Sequence, residues 1–244
     1  MTGLRRAALQ PAFLLHHRDY SDSSRILDLL TREHGRISLF ARGVRRGKSP
    51  WRAVLRPFVP LLVSWSGGTD GGTLTGAELA GDGSPLPAAR LMSGFYLSEL
   101  LLRLTPRDEA AHELFDLYAS TLEALHHGAA EQAALRYFEW QLLEQLGYGL
   151  DLATEAGGRE PLAADRYYHF RPGTGLLAVG TEAGAEGAYL GAQLLGLAAG
   201  QLDSPDVLRA AKRLLRSALE HCLEGRGLRS RDVLLALRRL EMEK

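Results

Sequence analysis

The feature that most constrains the fold is a change of hydrophobic pattern at residues 81–87. Before this segment, short apolar runs alternate with turn residues, whereas after it the apolar residues follow the longer period of helices. In one early run, Ile37, Leu39 and Ala41 alternate with the residues between them, which is the two-residue period of a strand. Five such runs predict β-strands at residues 12–16, 25–30, 36–41, 58–65 and 73–79.

Five short strands within about 80 residues, joined by turns and one longer basic connection, are typical of a small closed barrel such as an OB-fold. The glycine-rich segment 67–72 predicts a flexible hairpin connection between the last two strands. Residues 1–81 are therefore predicted to form an all-β, nucleic-acid-binding barrel with the OB-fold.

The rest of the chain, residues 82–244, is predicted to be a mainly α-helical domain, so the fold class is multidomain. Ser204 and Pro205 form a helix start signal, and Ser230 is expected to cap a last helix. A small, irregular insertion around residues 150–185 holds a predicted hairpin of 167–170 with 175–179. The helices are predicted at residues 91–104, 109–127, 130–146, 187–199, 205–223 and 231–242.

Composition excludes several protein classes. No apolar run approaches the roughly 20 residues of a membrane span, and no secretion signal is predicted. Cys222 is the only cysteine, which excludes an intramolecular disulfide and a cysteine-based zinc site. These features predict a cytoplasmic protein.

A net charge of zero conceals an uneven distribution along the chain. Residues 1–80 hold 12 Lys and Arg against 6 Asp and Glu, a net charge of +6. Residues 81–204 hold 7 against 17, a net charge of −10, and residues 205–244 hold 10 against 6, a net charge of +4. Two basic ends around an acidic middle indicate contact with a polyanion at the ends. A genome that favours arginine codons is an alternative source of the arginine excess.

The strongest local feature is a basic loop at residues 42–56, where no acidic residue interrupts six positive charges. Such a loop neutralises phosphates, and its glycines allow a close approach to a nucleic-acid backbone. The alternative is a solvated basic loop without a partner. The segment also lacks one residue of a P-loop and continues with Pro50, which argues against nucleotide hydrolysis. The predicted DNA-binding residues of this region are Arg36, Arg42, Arg45, Arg46, Lys48, Trp51, Arg52 and Arg56.

A second candidate surface is a basic stripe on the helix predicted at residues 205–223. Its charges fall within about 100° of one helix face, and a face of a single charge sign favours binding over simple solubility. The stripe consists of Arg209, Lys212, Arg213 and Arg216, and Arg229 and Arg231 are predicted to extend it.

Three aromatic residues flank the basic loop. Trp51 is the better candidate for stacking on unpaired bases, whereas Phe58 and Trp65 are predicted to belong to the core of an apolar strand. The sequence shows no catalytic signature and no metal-ligand set, so no enzyme activity, cofactor or metal is expected.

Taken in order, these segments resemble the RecO family of bacterial DNA repair proteins. No single motif is decisive, but the ordered set is specific and runs almost from end to end. Residues 93–101, Ser-Gly-Phe-Tyr-Leu-Ser-Glu-Leu-Leu, are the most telling of them. The other matching segments are 13–16 with 20–24, 35–43, 55–62, 135–139, 146–149, 209–213 and 228–231.

The resemblance implies an N-terminal OB-fold and a C-terminal helical domain. It also implies binding to single- and double-stranded DNA, annealing of complementary strands, and partnership with RecR and with the acidic C-terminal tail of single-stranded DNA-binding protein. With these partners, a member of the family helps to load RecA onto DNA coated with single-stranded DNA-binding protein, in the bacterial cytoplasm at the nucleoid. By position, Arg136 would bind that tail, and an intrahelical ion pair with a neighbouring glutamate is the alternative.

One departure from the family concerns zinc. Many members carry a four-cysteine site after the Leu-Gly-Tyr segment, whereas residues 153–158 of this chain contain no thiol. Without thiols the chain is expected to bind no zinc there, and the sequence does not predict the fold of residues 150–185. Two rival functions also stay open: a protein-only adaptor between RecR and single-stranded DNA-binding protein with weak direct DNA binding, and a metal-dependent nuclease.

Overall fold

The computed structural model describes residues 6–47, 49–158, 160–179 and 187–242. Its N-terminal part is a closed five-stranded barrel, which confirms the predicted fold class. The strands adjoin in the order β1-β2-β3-β5-β4, with β3 and β5 parallel and the other pairs antiparallel. The strands are β1 (Arg6–Tyr20), β2 (Ser24–Thr31), β3 (Gly35–Ala41), β4 (Pro60–Ser66) and β5 (Asp70–Leu79).

The length of β1 allows one strand to close the barrel. Its first half pairs with β4 and its second half with β2. The register shifts between Ala7 and Gln10 and again between Leu14 and His16, and such bulges bend a strand around a barrel. Alternate residues of all five strands then point inward, where Leu27, Leu39 and Leu61 are fully buried.

Three long helices belong to the same compact unit as the barrel, which comprises residues 1–127 and 228–244. A single helical turn, α1 (Trp51–Val54), lies between β3 and β4, and a short 3₁₀ turn, Ala88–Arg90, leads into the first of them. The ring of Phe13 on β1 lies 5.2 Å from the rings of both Phe115 and Tyr118. The three helices are α2 (Leu91–Leu104), α3 (His112–His126) and α7 (Arg229–Met242).

The start of α7 differs from the prediction. The helix begins at Arg229, so Ser230 lies inside it and is not its cap. Glu99 of α2 accepts hydrogen bonds from the backbone amides of Arg229 and Ser230 at 2.9 and 2.8 Å, and from the Ser230 hydroxyl at 2.7 Å. A carboxylate from another helix therefore satisfies the free amides of the first turn, which a sequence pattern does not reveal.

The second compact unit comprises residues 128–227. The predicted hairpin of β6 with β7 is confirmed, and β8 adds a third strand in the order β7-β6-β8. Because β8 takes residues predicted as helix, α5 begins only at Gly191. Pro205 opens α6, as predicted, but Ser204 makes no capping side-chain hydrogen bond. The elements are α4 (Glu131–Gln145), β6 (Tyr167–Arg171), β7 (Gly175–Val179), β8 (Tyr189–Leu190), α5 (Gly191–Ala198) and α6 (Pro205–Cys222).

The predicted domain boundary between residues 81 and 82 stays a prediction. Among the described residues, no helix is long and apolar enough to cross a membrane.

Gly35 holds the turn before β3 against the loop that follows α2. Its φ is +60°, and a Cβ there would lie 1.8 Å from the carbonyl oxygen of Glu109. We predict that Gly35→Ala lowers the free energy of unfolding by more than about 2 kcal/mol, through backbone strain and steric overlap together. Urea denaturation checks this. Gly128→Ala is the matched control, because Gly128 has φ +80° but open space around it, and a smaller loss is expected there.

Candidate nucleic-acid interface

The basic loop leaves the barrel at the end of β3 and returns to it through α1 and β4. Arg42, Arg46 and Arg52 are exposed, and none of these three guanidinium groups is paired with a described residue. All three are therefore free to contact phosphate. Lys48 lies outside the described residues.

A groove of about 470 Å³ lies where this loop meets the turn between β1 and β2. Its walls combine two arginines with two aromatic rings and two hydroxyls. Tyr20 is 53% exposed, and its ring contacts that of Phe40 edge to face at a centroid distance of 5.3 Å. The lining residues are Tyr20, Ser23, Ser24, Phe40, Arg42, Gly43 and Arg46.

Arg45 fastens the loop to the wall of the groove. Its backbone amide donates to the Ser23 carbonyl at 3.0 Å, and its Nη1 donates to the Ser21 carbonyl at 3.0 Å. Its Nη2 also lies 3.5 Å from the Asp19 carboxylate. The geometry therefore makes Arg45 a positioning residue first, although it was predicted as a DNA contact.

Asp19 supplies the negative charge of this arrangement. The Arg25 Nε donates to its carboxylate at 3.0 Å, and this hydrogen bond, with the nearby charge of Arg45, holds the pKa of Asp19 below its usual range. Because its pKa is lowered, the Asp19 carboxylate stabilises the folded protein at any pH above the ordinary carboxyl pKa. This stabilisation is lost as the pH falls through the lowered value. The contact is therefore fully formed at neutral pH.

Arg36 and Arg56 already serve internal contacts. Arg36 Nη2 donates to the Thr105 carbonyl at 2.7 Å, and Arg56 Nη2 donates to the Gly83 carbonyl at 2.9 Å. Both side chains are half-buried, and burial, aided by the charge of Arg107, lowers the pKa of Arg36. Their predicted contact with DNA stays a prediction, and it requires these side chains to act from partly buried positions.

The aromatic residues beside the loop differ in their surroundings. Trp65 is buried in the barrel core, as predicted, whereas Phe58 is buried but precedes β4 and contacts the ring of Phe95 on α2, so its predicted place in a strand is wrong. Trp51 is half-buried and packs against the same core, so only part of its ring is open to a base. Its stacking role stays a prediction.

The stripe on α6 is exposed along its length, and the opposite face of the helix is buried. Arg209 pairs with Asp206 and Arg216 with Glu220, whereas Arg213 lies 4.4 Å above the ring of Tyr189. Exposed ion pairs of this kind contribute only about 0–1 kcal/mol, so an incoming phosphate can displace them.

Arg229 and Arg231 belong to the first compact unit, whereas the α6 stripe belongs to the second. The predicted extension of the stripe by these two residues stays a prediction.

Arg136 is buried within α4. Its Nη2 donates to Glu139, one turn further along the same helix, at 2.5 Å, and its Nε is buried without a hydrogen-bond partner. The intrahelical pair is therefore the arrangement observed. A partner's carboxylate would have to compete with Glu139, and binding of a protein tail by Arg136 stays a prediction.

The region that carries zinc in many family members is closed by hydrogen bonds here. The Asp151 carboxylate accepts from the backbone amides of Ala153 and Thr154 at 2.9 and 3.0 Å and also from the Thr154 hydroxyl. Thr154 in turn forms an isolated bridge with Pro161. Without thiols this donor set does not fit zinc, and among the described residues no three His, Cys, Asp or Glu side chains gather around one point.

The two aromatic residues that line the groove, Tyr20 and Phe40, were not predicted from the sequence. They lie on β1 and β3, and the pairing of both strands with β2 brings their rings together. The available signal was weak: an aromatic residue at a strand end, directly before the Ser-Asp-Ser-Ser turn.

Comparison with known proteins gives one consistent family. The model of the recombination protein O N terminal matches residues 6–81, and that of the recombination protein O C terminal matches residues 88–232. The DNA repair protein RecO of Methylococcus capsulatus is 45% identical over 228 residues, 93% of each chain. Those of Nitrosococcus oceani and Cellvibrio japonicus are 44% and 40% identical, covering 96% and 93% of this chain and 96% and 97% of their own.

Loosening of the basic loop is the expected result of removing the Arg45 side chain. Arg45→Ala deletes the contacts to Ser21 and Asp19, so we predict faster amide hydrogen exchange over residues 42–47 by at least about threefold. Hydrogen–deuterium exchange with mass spectrometry measures this. Arg46→Ala removes the same charge without these contacts and should leave the exchange unchanged. Equal exchange in both variants would contradict the positioning role.

Proposed function

The chain belongs to the RecO family of DNA repair and recombination proteins, and from that premise we propose that it binds single- and double-stranded DNA and anneals complementary strands. In this proposal it acts as a recombination mediator by binding and positioning strands, with no covalent step of its own.

The observation that carries the proposal is the exposure of Arg42, Arg46 and Arg52 on one short loop of the barrel. Guanidinium groups bind phosphate in a bidentate way, and each neutralised phosphate releases counterions. Affinity for DNA should therefore fall steeply as salt rises. The groove beside this loop adds aromatic surface, which is typical of proteins that bind single strands.

Annealing follows from charge neutralisation. Two complementary strands repel each other, and a protein that holds the phosphates of one strand lowers this repulsion for the second. The basic loop supplies the first surface in this proposal. The exposed stripe of Arg209, Lys212, Arg213 and Arg216 supplies a second, through charges whose ion pairs are weak.

The resemblance to the family supports the proposed protein partners. These are RecR, the acidic tail of single-stranded DNA-binding protein and, indirectly, RecA. The proposed setting is gaps and breaks in DNA at the bacterial nucleoid. Arg136 is the residue proposed to bind the acidic tail. A buried cation binds a carboxylate strongly once its present partner, Glu139, is displaced.

Charge reversal of the free arginines tests the proposal. Arg42→Glu with Arg46→Glu should lower affinity for oligonucleotides at least about 100-fold in dilute salt, because two phosphate contacts become repulsive, and annealing should be lost. Fluorescence anisotropy and an annealing assay with labelled complementary strands measure both. Arg171→Glu with Arg226→Glu makes the same change in charge at exposed positions outside both basic surfaces, and it should retain most activity.

A titration of the wild-type protein with bare oligonucleotide distinguishes the proposal from the adaptor alternative. Binding that weakens with a steep salt dependence supports direct DNA contact. Negligible binding in dilute buffer, with RecR still captured, would leave only the adaptor function.

A further inference from the structure

We propose that the groove beside the basic loop is a site for one unpaired nucleotide, whose base stacks on Tyr20 while Arg42 and Arg46 hold the adjoining phosphates. The inference rests on the proposed DNA binding and extends it. It assigns a position to the base and gives the protein a preference for single strands.

The dimensions and chemistry of the groove suit such a ligand. Its volume of about 470 Å³ lies within the usual range for sites that take small organic groups, about 300–1,000 Å³. Its lining combines aromatic and cationic residues, which match the flat base and the charged phosphate of a nucleotide. Ser23 and Ser24 also line it.

The Tyr20 ring is held ready for stacking. Tyr20 ends β1 and pairs in register with Ser24 across the tight turn, and its ring is fixed by the edge-to-face contact with Phe40. Half of the side chain is nevertheless exposed. A large aromatic surface that is both immobilised and open to solvent loses little entropy when a base stacks on it.

The arginines are held at a fixed distance from that ring. Ser21 adopts a left-handed conformation with φ +56°, which turns its carbonyl toward the Arg45 guanidinium. The Arg45 amide then binds Ser23, and the Arg46 amide donates to Gly43 at 3.1 Å. These bonds leave the Arg42 and Arg46 side chains on the groove side of the loop, where they line it together with Tyr20.

Pairing state determines access to this site. A base in a duplex is stacked on its neighbours and paired with the opposite strand. It reaches a pocket on a protein only after it is unpaired and turned out of the helix. A base in a single strand is already free. The groove therefore favours single strands, whereas the phosphate contacts alone serve both forms.

Three DNA ligands of equal length separate the base contact from the phosphate contact: a 20-residue oligothymidylate, the same backbone without bases, and a 20-base-pair duplex. For the wild type we expect tighter binding of oligothymidylate than of the baseless strand. Tyr20→Ala should lower affinity for oligothymidylate about tenfold, the loss of one stacked base. It should change binding of the other two ligands by less than about twofold.

Two further variants control for fold and for ring chemistry. Tyr20→Trp keeps a stacking surface and should bind oligothymidylate as the wild type does. Tyr148→Ala removes a tyrosine that is 51% exposed outside the groove and should change nothing. Thermal denaturation confirms that each variant is folded.

The outcomes distinguish the two proposals. Equal weakening of all three ligands by Tyr20→Ala, or no weakening of any, would overturn the nucleotide site. If Arg42→Glu with Arg46→Glu still weakens all three ligands in that case, the proposed DNA binding stands without it. If the double reversal weakens none, the proposed function itself is wrong.

Discussion

The long strand β1 closes the N-terminal barrel by pairing with both β2 and β4, and this closure limits where a ligand can bind. A closed barrel has no free strand edge, and its inner face is filled by core side chains. Binding must use side chains on the outer surface and the loops between strands. The consecutive pairing of β1, β2 and β3 sets the β1–β2 turn beside the loop after β3, and there Arg45 joins the Ser21 and Ser23 carbonyls to that loop. The groove lies beside this contact.

Apart from Arg45, the barrel arginines predicted to bind DNA divide into two groups according to their partners. Arg36 and Arg56 donate to backbone carbonyls of distant segments, and each leaves a buried Nε without a partner. A buried charge needs its hydrogen bonds, so these residues stabilise the fold before they can serve a ligand. Arg42, Arg46 and Arg52 have no such partner among the described residues. The positive charge available to phosphate is therefore smaller than a count of arginines indicates, and it is concentrated beside the groove.

Hydrogen bonds hold the segment after α4, at the position where the family resemblance implies a zinc site in many members. The Asp151 carboxylate binds two amides and a hydroxyl, and the Leu162 amide donates to the Ala153 carbonyl at 2.9 Å. These bonds close the loop that precedes the β6–β7 hairpin. Each is weak compared with a zinc–thiolate set, but several together satisfy the polar groups of a short loop.

Hydrophobic period and ordered motifs are properties of consecutive residues, so they predicted the barrel strands, most of the helices, the basic loop, the amphipathic stripe and the family. The predictions failed where a partner comes from elsewhere in the chain: Glu99 replaces Ser230 as the cap of α7, and β8 replaces the first turn of a predicted helix. The folded chain was needed to show which arginines are free and that Tyr20 and Arg42 line the same groove. The contacts responsible join residues 24 to 69 positions apart, and no local pattern encodes which of two similar guanidinium groups will meet a carbonyl at that separation.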